Sequence, residues 1–590
     1  MNIETKIFKD FEYTIVNDEI CITQYIGDKV DVVIPNEIEN KIVTKIGYKA
    51  FFECSNIKNI SIPNTIMSIG EQAFRRCDSL SHIEIPNSVV SIGKEAFRGC
   101  VSLTDIKIPN NVKEIGTGLF IYCLNLKNVF IGNGINIITD FMFSECSSLE
   151  IIEIPSSVKE IGKGAFNQCT SLIEVEINNS VERIDDFAFS DNIKLKLVQI
   201  PNNVKYIGEY AFRGCTNLEE IDIPDEISVI EQYTFYGCTS LKKVKLPSNI
   251  KTIENGAFGT CKNLNKINIP NSAVKIGDFV FNECHSLSEI ELGNNVEEIG
   301  EYAFCQCDNL GYIKLPEKVK IIEEGTFSEC KNLKTIEGFS SIEKIKGRAF
   351  SECKNLIEID LGEDLKYIDD FAFNECISLK KIEISSSVKE IGKGAFNECT
   401  SLIEVKINNG VERIDDFAFS DCKSIEDIVI PNSVVYLGEQ SFNDCINLKY
   451  LNLGNNIQSI GKHAFANCKN LKKIKIPNNI KKIDIGTFSD CSNLISVESG
   501  YGIESIGDFA FDGCHSLEKI NMSNNLINIG EGAFNECSSL IEVELGSSIK
   551  DIGKFAFANC NNLNKFTINS RDVSICEDIF ITNESNLPKN

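Results

Sequence analysis

The stretch Ile46-Gly-Tyr-Lys-Ala-Phe-Phe-Glu-Cys-Ser-Asn-Ile-Lys-Asn-Ile-Ser-Ile-Pro-Asn-Thr-Ile-Met-Ser68 decides the fold, because the chain goes on repeating it. Its pattern is Ile-Gly-x-x-Ala-Phe-x-x-Cys-x-x-Leu-x-x-Ile-x-Ile-Pro-x-x-Val-x-x. Counting forward from Phe51 in steps of 23 lands on Phe74, Phe97, Phe120 and so on to Phe557. That makes 23 consecutive copies without an insertion or deletion. A fixed period of this length marks an array of stacked supersecondary units. Such an array grows by adding rungs, so 590 residues do not demand several separate cores.

Each copy divides into parts with different jobs. Leu-x-x-Ile-x-Ile, as in Leu80, Ile83 and Ile85, predicts a short strand whose intervening residues face outward. Proline follows in 11 copies, from Pro63 and Pro86 to Pro431 and Pro477. It has no N–H to give a neighbouring strand, so the ladder stops there. Val-x-x-Ile, as in Val112 to Ile115, then turns the chain back across the core. Gly comes next in 14 copies, which suggests a tight turn where a positive φ is often used. Asp, Glu, Lys or Thr fills that slot in the other nine, so a positive φ is not obligatory. Ala-Phe-x-x-Cys, as in Ala96, Phe97 and Cys100, suits a single helical turn with one buried face. One copy alone cannot bury these side chains, so stability comes from stacking, with the Phe column as the largest contributor.

Residues 1–45 lie outside the period. Segments 11–15, 20–25 and 30–35 read as strands, with Gly27-Asp28 as a turn, and predict a β-rich N-terminal cap over the first rung. The array runs over 46–568. Residues 569–590 read as a degenerate C-terminal half-repeat and tail: Ile575, Ile579 and Phe580 keep their slots, but Asn583 replaces Cys.

The balance of 59 Lys+Arg against 85 Asp+Glu leaves a net charge of −26. That field repels phosphate backbones and anionic headgroups, which argues against nucleic acid and membrane insertion. A high net charge also serves simply to keep an apolar-cored array soluble. The first residues form no apolar leader, and no later window approaches a membrane span. Of 25 cysteines, 22 occupy one slot of the repeat, and only one copy lacks it, carrying Asn192. A slot recurring among apolar positions predicts buried free thiols rather than a disulfide framework, and with them a reducing compartment. The expected location is cytoplasmic, with the cell surface or secretion by a non-standard route as the alternative.

The repeated phrase strongly resembles the BspA-like branch of the leucine-rich-repeat superfamily. The resemblance covers residue 46 to about residue 568. It implies an α/β, β-dominated fold: a right-handed leucine-rich-repeat solenoid of 23-residue repeats with a parallel sheet on the concave face. Many such proteins are surface proteins that bind host or matrix proteins or other cells. The function implied is a non-catalytic scaffold that binds an unidentified protein partner, with a surface or secreted adhesin as the alternative.

Signs of chemistry are few. His285 and His515 each follow a repeat Cys, but they lie 230 residues apart, which is ten repeats. The same offset relates residues 156–166 to 386–396 and 181–191 to 411–421, so a ten-rung block has been duplicated. Histidines ten rungs apart cannot share a zinc ion, which needs converging ligands. Cys305-Gln306-Cys307 is the one close thiol pair, on opposite sides of its turn. No phosphate-cradling loop and no base–nucleophile spacing occur. No catalytic residue, cofactor or metal is expected.

The outward strand positions remain. Rungs five, six and eight present Glu150, Glu153, Glu174, Glu176, Glu219, Glu220 and Asp222, and the ninth presents Lys242, Lys243 and Lys245. Lys472, Lys473 and Lys475 repeat that basic rung. Phe130, Ile151, Ile173, Leu197, Ile357, Ile403, Ile495 and Ile541 are apolar residues in outward slots. An acidic band beside a lysine rung, with apolar residues between, is the candidate partner site. Drift and duplication on a solvated face explain the same charges equally well. Gly338 and Ser499 replace the last inward Ile of their strands, so those two rungs are expected to be weakened or bent.

Overall fold

The computed structural model describes residues 4–576 and 578–580 and separates into two compact units, Met1–Asn295 and Val296–Asn590. Each is a parallel-strand solenoid with one rung per 23 residues. Among the described residues there is no α-helix, and none long and apolar enough to cross a membrane.

The first unit begins with strands Lys6–Phe8, Phe11–Val16 and Glu19–Tyr25, paired antiparallel. Glu19–Tyr25 then pairs in parallel with Lys41–Ile46, where the repeat takes over. The Tyr25 ring stacks 5.5 Å from Phe51, so this lead-in covers the first ring of the Phe column.

Three ladders link neighbouring rungs in register i to i+23, the outward strands pairing in runs of two to four. On the outward strand face, Asp105–Ile108 pairs with Asn128–Ile131, and Ile151–Glu153 with Glu174–Glu176. Val-x-x-Ile does more than turn the chain: its last two residues, such as Ser68–Ile69, Ser91–Ile92 and Glu114–Ile115, form a second parallel sheet. The third ladder departs most from expectation. Ala-Phe-x-x-Cys is not a helical turn. The residue before the Ala slot and the residue before the Cys slot both have φ between +52° and +75° in all 23 copies. The result is two successive turns with a left-handed third residue, closed by bonds such as Ala50 N–H to the Gly47 carbonyl and Cys54 N–H to the Phe51 carbonyl. Between those turns Lys49, Phe51 and Glu53 donate their N–H groups to the Glu71, Ala73 and Arg75 carbonyls one rung on. A helical turn would aim these groups along its own axis, whereas alternating turns aim them at the neighbouring rung.

The expected positive φ at the Ile-Gly slot is absent: Gly47, Gly70, Gly93 and Gly116 all have ordinary φ. What Gly supplies there is close approach. A Cβ on Gly70 would lie 2.6 Å from the Gly47 backbone one rung below.

Down the interior runs the Phe column, fully buried, with neighbouring ring centroids 5.0–5.9 Å apart from Phe51 to Phe281. Beside it runs the Cys column. Each slot thiol from Cys77 to Cys284 donates its S–H to the Phe carbonyl of the preceding rung at 3.1–3.3 Å. Asn192 reproduces this with its amide nitrogen, which donates to the Phe166 and Phe189 carbonyls at 3.0 and 2.8 Å. Its Oδ1 is left buried without a partner. The slot thus selects a small buried donor, and thiol is the least polar side chain that provides one.

The second unit has the same cross-section. Its Phe column runs from Phe304 to Phe557 with neighbouring centroids 5.1–5.6 Å apart. At Gly338 the chain adopts a left-handed φ of 95° and enters a short 3-10 turn, Phe339–Ser341. Phe339 is buried, its ring 6.0 Å from the Phe350 ring of the interior column. One rung on, strand pairing shrinks to the single bridge Glu358–Lys381. No such break occurs at Ser499, where Ser496–Glu498 keeps both parallel neighbours. At the lower end Ser574–Ile575 pairs with Asp551–Ile552, and Phe580 meets the Phe566 ring edge-on at 5.1 Å. Asn583 and the rest of the tail expected as a cap, residues 581–590, lie outside the described residues.

Candidate protein-binding grooves on the strand face

In each Leu-x-x-Ile-x-Ile strand the pleat sends Leu and Ile inward and the three x positions outward. Because strand i faces strand i+23, every outward side chain stands in a column, and its neighbours are the same slots one rung up and down. The electrostatics of the face are therefore set along columns as much as along rungs.

In the first unit this face holds a groove of about 850 Å³, whose lining includes Lys107, Phe130, Glu150, Ile151 and Glu153. Phe130 and Ile151 are 52% and 60% exposed, a large apolar surface for residues on a regular strand. Lys107 Nζ lies 5.5 Å from the Phe130 ring centre, a cation–π contact that covers one side of it. Hydrogen bonds from Thr104 and Asn128 hold the Asp105 carboxyl below its usual range. Glu153 faces Glu176 directly across the ladder, and Ile151 faces Glu174. Among the described residues no ammonium or guanidinium group lies within 4 Å of Glu150, Glu153, Glu174 or Glu176. Like charges opposite each other on adjacent strands repel, so these carboxylates carry a standing cost that a cation would relieve.

The remaining sequence-predicted residues behave differently. Lys242 forms an ion pair with Glu219 at 3.1 Å, and the register sets Glu220 against Lys243 and Asp222 against Lys245. Rungs eight and nine neutralise each other. A rung carrying Lys196, Leu197 and Gln199 separates them from Glu174 and Glu176. The ten residues therefore form two sets: an open acidic cluster, and a charge-matched seam. All the outward apolar residues noted in the sequence are exposed.

A second groove, of about 570 Å³, lies within the second unit and was not among the predicted sites. Its lining includes Val429, Tyr450, Lys472, Lys473, Lys475 and Glu498, with Val429 and Tyr450 exposed by 59% and 68%. The signal that marks it is the succession of Val429 and Tyr450 in outward slots immediately before a lysine rung.

Nothing in either groove gathers reactive groups. From Cys77 to Cys560 the slot thiols are buried, and burial pushes Cys123 and Cys169 up to about 12, far from thiolate formation. Cys305 and Cys307 are buried as well. His515 is exposed, with Nδ1 3.0 Å from the Glu536 carbonyl. Among the described residues no group of three or more His, Cys, Asp and Glu side chains converges as metal ligands do. Exposed apolar side chains and flexible charged rods on a rigid sheet are equipment for recognition.

A stacked parallel-strand array with its variable residues on one strand face defines a leucine-rich-repeat protein. More narrowly, the chain belongs to the BspA type leucine rich repeat family, whose profile matches it six times, at residues 44–173, 159–276, 251–380, 320–434, 366–495 and 458–587. Similar solved structures include a leucine-rich repeat protein from Bacteroides ovatus, 25% identical, covering 80% of this chain and 95% of its own, with a TM-score of 0.44. Another is a leucine rich cell surface protein from Faecalibacterium prausnitzii, 22% identical, covering 69% of this chain and 95% of its own, with a TM-score of 0.34. No curated protein matches the sequence.

Proposed function

We propose that this chain is a non-catalytic scaffold that binds a protein partner on its outward strand face, with the acidic groove of the first unit as a principal site. The observation that supports this reading is the coincidence of two unfavourable features at one place. Phe130, Ile151 and Glu153 line one groove, where Phe130 and Ile151 expose apolar surface and Glu153 is repelled by Glu176 on the next strand. Both costs vanish when a segment carrying Lys or Arg beside an apolar side chain covers the groove. The seam of Glu219, Glu220 and Asp222 with Lys242, Lys243 and Lys245 then serves the sheet itself rather than the partner.

The test uses peptides selected from a random display library on the full chain. The expected peptides combine basic and apolar residues and lose roughly ten-fold or more in affinity for a Glu153→Lys, Glu176→Lys double variant. They should keep their affinity for Glu220→Gln. Equal binding to the double variant and the parent chain would remove the acidic groove as the site.

A further inference from the structure

The ten-rung duplication presents two versions of the same surface. Adding 230 to Lys242, Lys243 and Lys245 gives Lys472, Lys473 and Lys475. In the first version the preceding rung supplies Glu219, Glu220 and Asp222, one carboxylate for each lysine. In the second it supplies Lys449, Tyr450 and Asn452, so those carboxylates are gone. On the following strand Lys473 faces Ser496, and only Lys475 faces an acid, Glu498. Among the described residues no carboxylate lies within 4 Å of Lys472, Lys473 or Lys475, whereas neighbouring Lys449 is held by Glu426 at 2.8 Å. The interior did not change in kind: Leu241 and Val244 correspond to Leu471 and Ile474, all buried. The two copies of these rungs have diverged: one is a neutral seam, the other an open basic groove flanked by Tyr450 and Val429.

We propose that this groove binds an extended acidic peptide segment, its carboxylates held by Lys472 and Lys473 and an apolar side chain resting on Tyr450 and Val429. A chain of net charge −26 holds anions off at long range, so a lysine group left open on its folded surface favours a ligand whose charge is short and local. The apolar ledge beside the lysines favours a peptide, and Tyr450 offers the large, stiff, amphipathic contact that recognition sites use. A nucleic acid or acidic polysaccharide would carry its continuous charge onto Asp427 and Glu498, which border the groove. This inference goes beyond the acidic groove. It concerns the other unit and the opposite charge, and it stands whether or not the first groove is occupied.

The experiment titrates the full chain into a fluorescent peptide of about twelve residues alternating Glu with Leu or Phe, and follows anisotropy. Comparators are the same peptide with Lys for Glu, heparin, and single-stranded DNA. The acidic peptide should bind, more weakly as salt rises. Affinity should fall roughly ten-fold or more in Lys472→Gln, Lys473→Gln and in Tyr450→Ser, and stay unchanged in Lys242→Gln, Lys243→Gln. A reciprocal variant, Glu219→Lys with Glu220→Tyr and Asp222→Asn, should open the matching groove in the first unit and add a second binding equivalent. That gain cannot come from misfolding. The proposal is overturned if the acidic peptide does not bind, if the Lys472, Lys473 variant binds it as well as the parent chain, or if heparin or DNA is preferred.

Discussion

In the first unit Glu153 stands opposite Glu176 without a counter-ion, while Glu219 is paired with Lys242. At the positions 230 residues on, in the second unit, the arrangement is reversed. Glu383 is paired with Lys406 and Lys381 with Glu404, while the rung before Lys472 and Lys473 carries no carboxylate in its outward slots. Inside, the two regions are interchangeable: the same Phe column, the same thiols bonded to the Phe carbonyls, the same left-handed residues in the turns. The contrast shows where each kind of constraint acts. A buried ring or donor is fixed by the rungs on both sides of it, since any change opens a void or strands a carbonyl. An exposed charge contributes little to stability, so it is free to change and available for recognition.

The largest effect expected tests whether the interiors are equal. Burial pushes Cys123 and Cys169 in the first unit, and Cys491 and Cys560 in the second, up to about 12. Unfolded, these thiols lose their protons near pH 9; folded, they hold them to about 12. Above pH 9 the unfolded chain therefore binds fewer protons than the folded one. The thiols' contribution is present in full below that pH and disappears as pH rises toward 12. Each shifted thiol removes about 1.4 kcal/mol per pH unit across that window. Summed over a column, this should unfold both units between about pH 9 and 11, as followed by circular dichroism. A chain still folded at pH 11 would contradict the thiol account, and widely separated transitions would mean the two interiors differ.

Next in size is the Phe column. Phe166 and Phe396 occupy equivalent rungs, with neighbouring rings at 5.4 and 5.3 Å in one unit and 5.2 and 5.1 Å in the other. Phe166→Ala and Phe396→Ala should each cost about 3–5 kcal/mol by denaturant unfolding, and the two losses should match. A clear difference between them would show that the repeated interior does not have uniform stability.

The period, the strand with its outward slots, the Phe column and the buried cysteines were all legible in the sequence, because each recurs as one residue type in one slot. The turns were not. Left-handed φ usually announces itself through Gly, but here most of those slots hold other residues, as at Glu53, Tyr210, Phe371 and Gln440. Hydrogen bonds between rungs impose the conformation against local preference. Even the Gly residues in these slots answer to a neighbour: a Cβ on Gly164 would lie 2.6 Å from the Phe141 ring of the rung before. The acidic and basic rungs were visible, but they were read along the chain. Their surroundings depend on the residue 23 positions away, which is why the pairing of Glu219 with Lys242 and the Tyr450–Lys473 groove escaped a reading along the chain.

The smallest effect isolates the charge reversal itself. Glu153 and Glu383 are equivalent positions; the first faces Glu176 and the second is paired with Lys406. Glu→Gln removes a charge at each site and changes little else. In the first unit it relieves repulsion, so Glu153→Gln should raise the denaturant midpoint slightly. In the second it removes an attraction, so Glu383→Gln should lower the midpoint slightly or leave it unchanged. Raising the salt concentration should shrink both differences toward zero, because both sites are exposed. A drop in stability for Glu153→Gln would mean that its carboxylate is already satisfied where it stands. The acidic groove would then have no unmet charge to offer a partner.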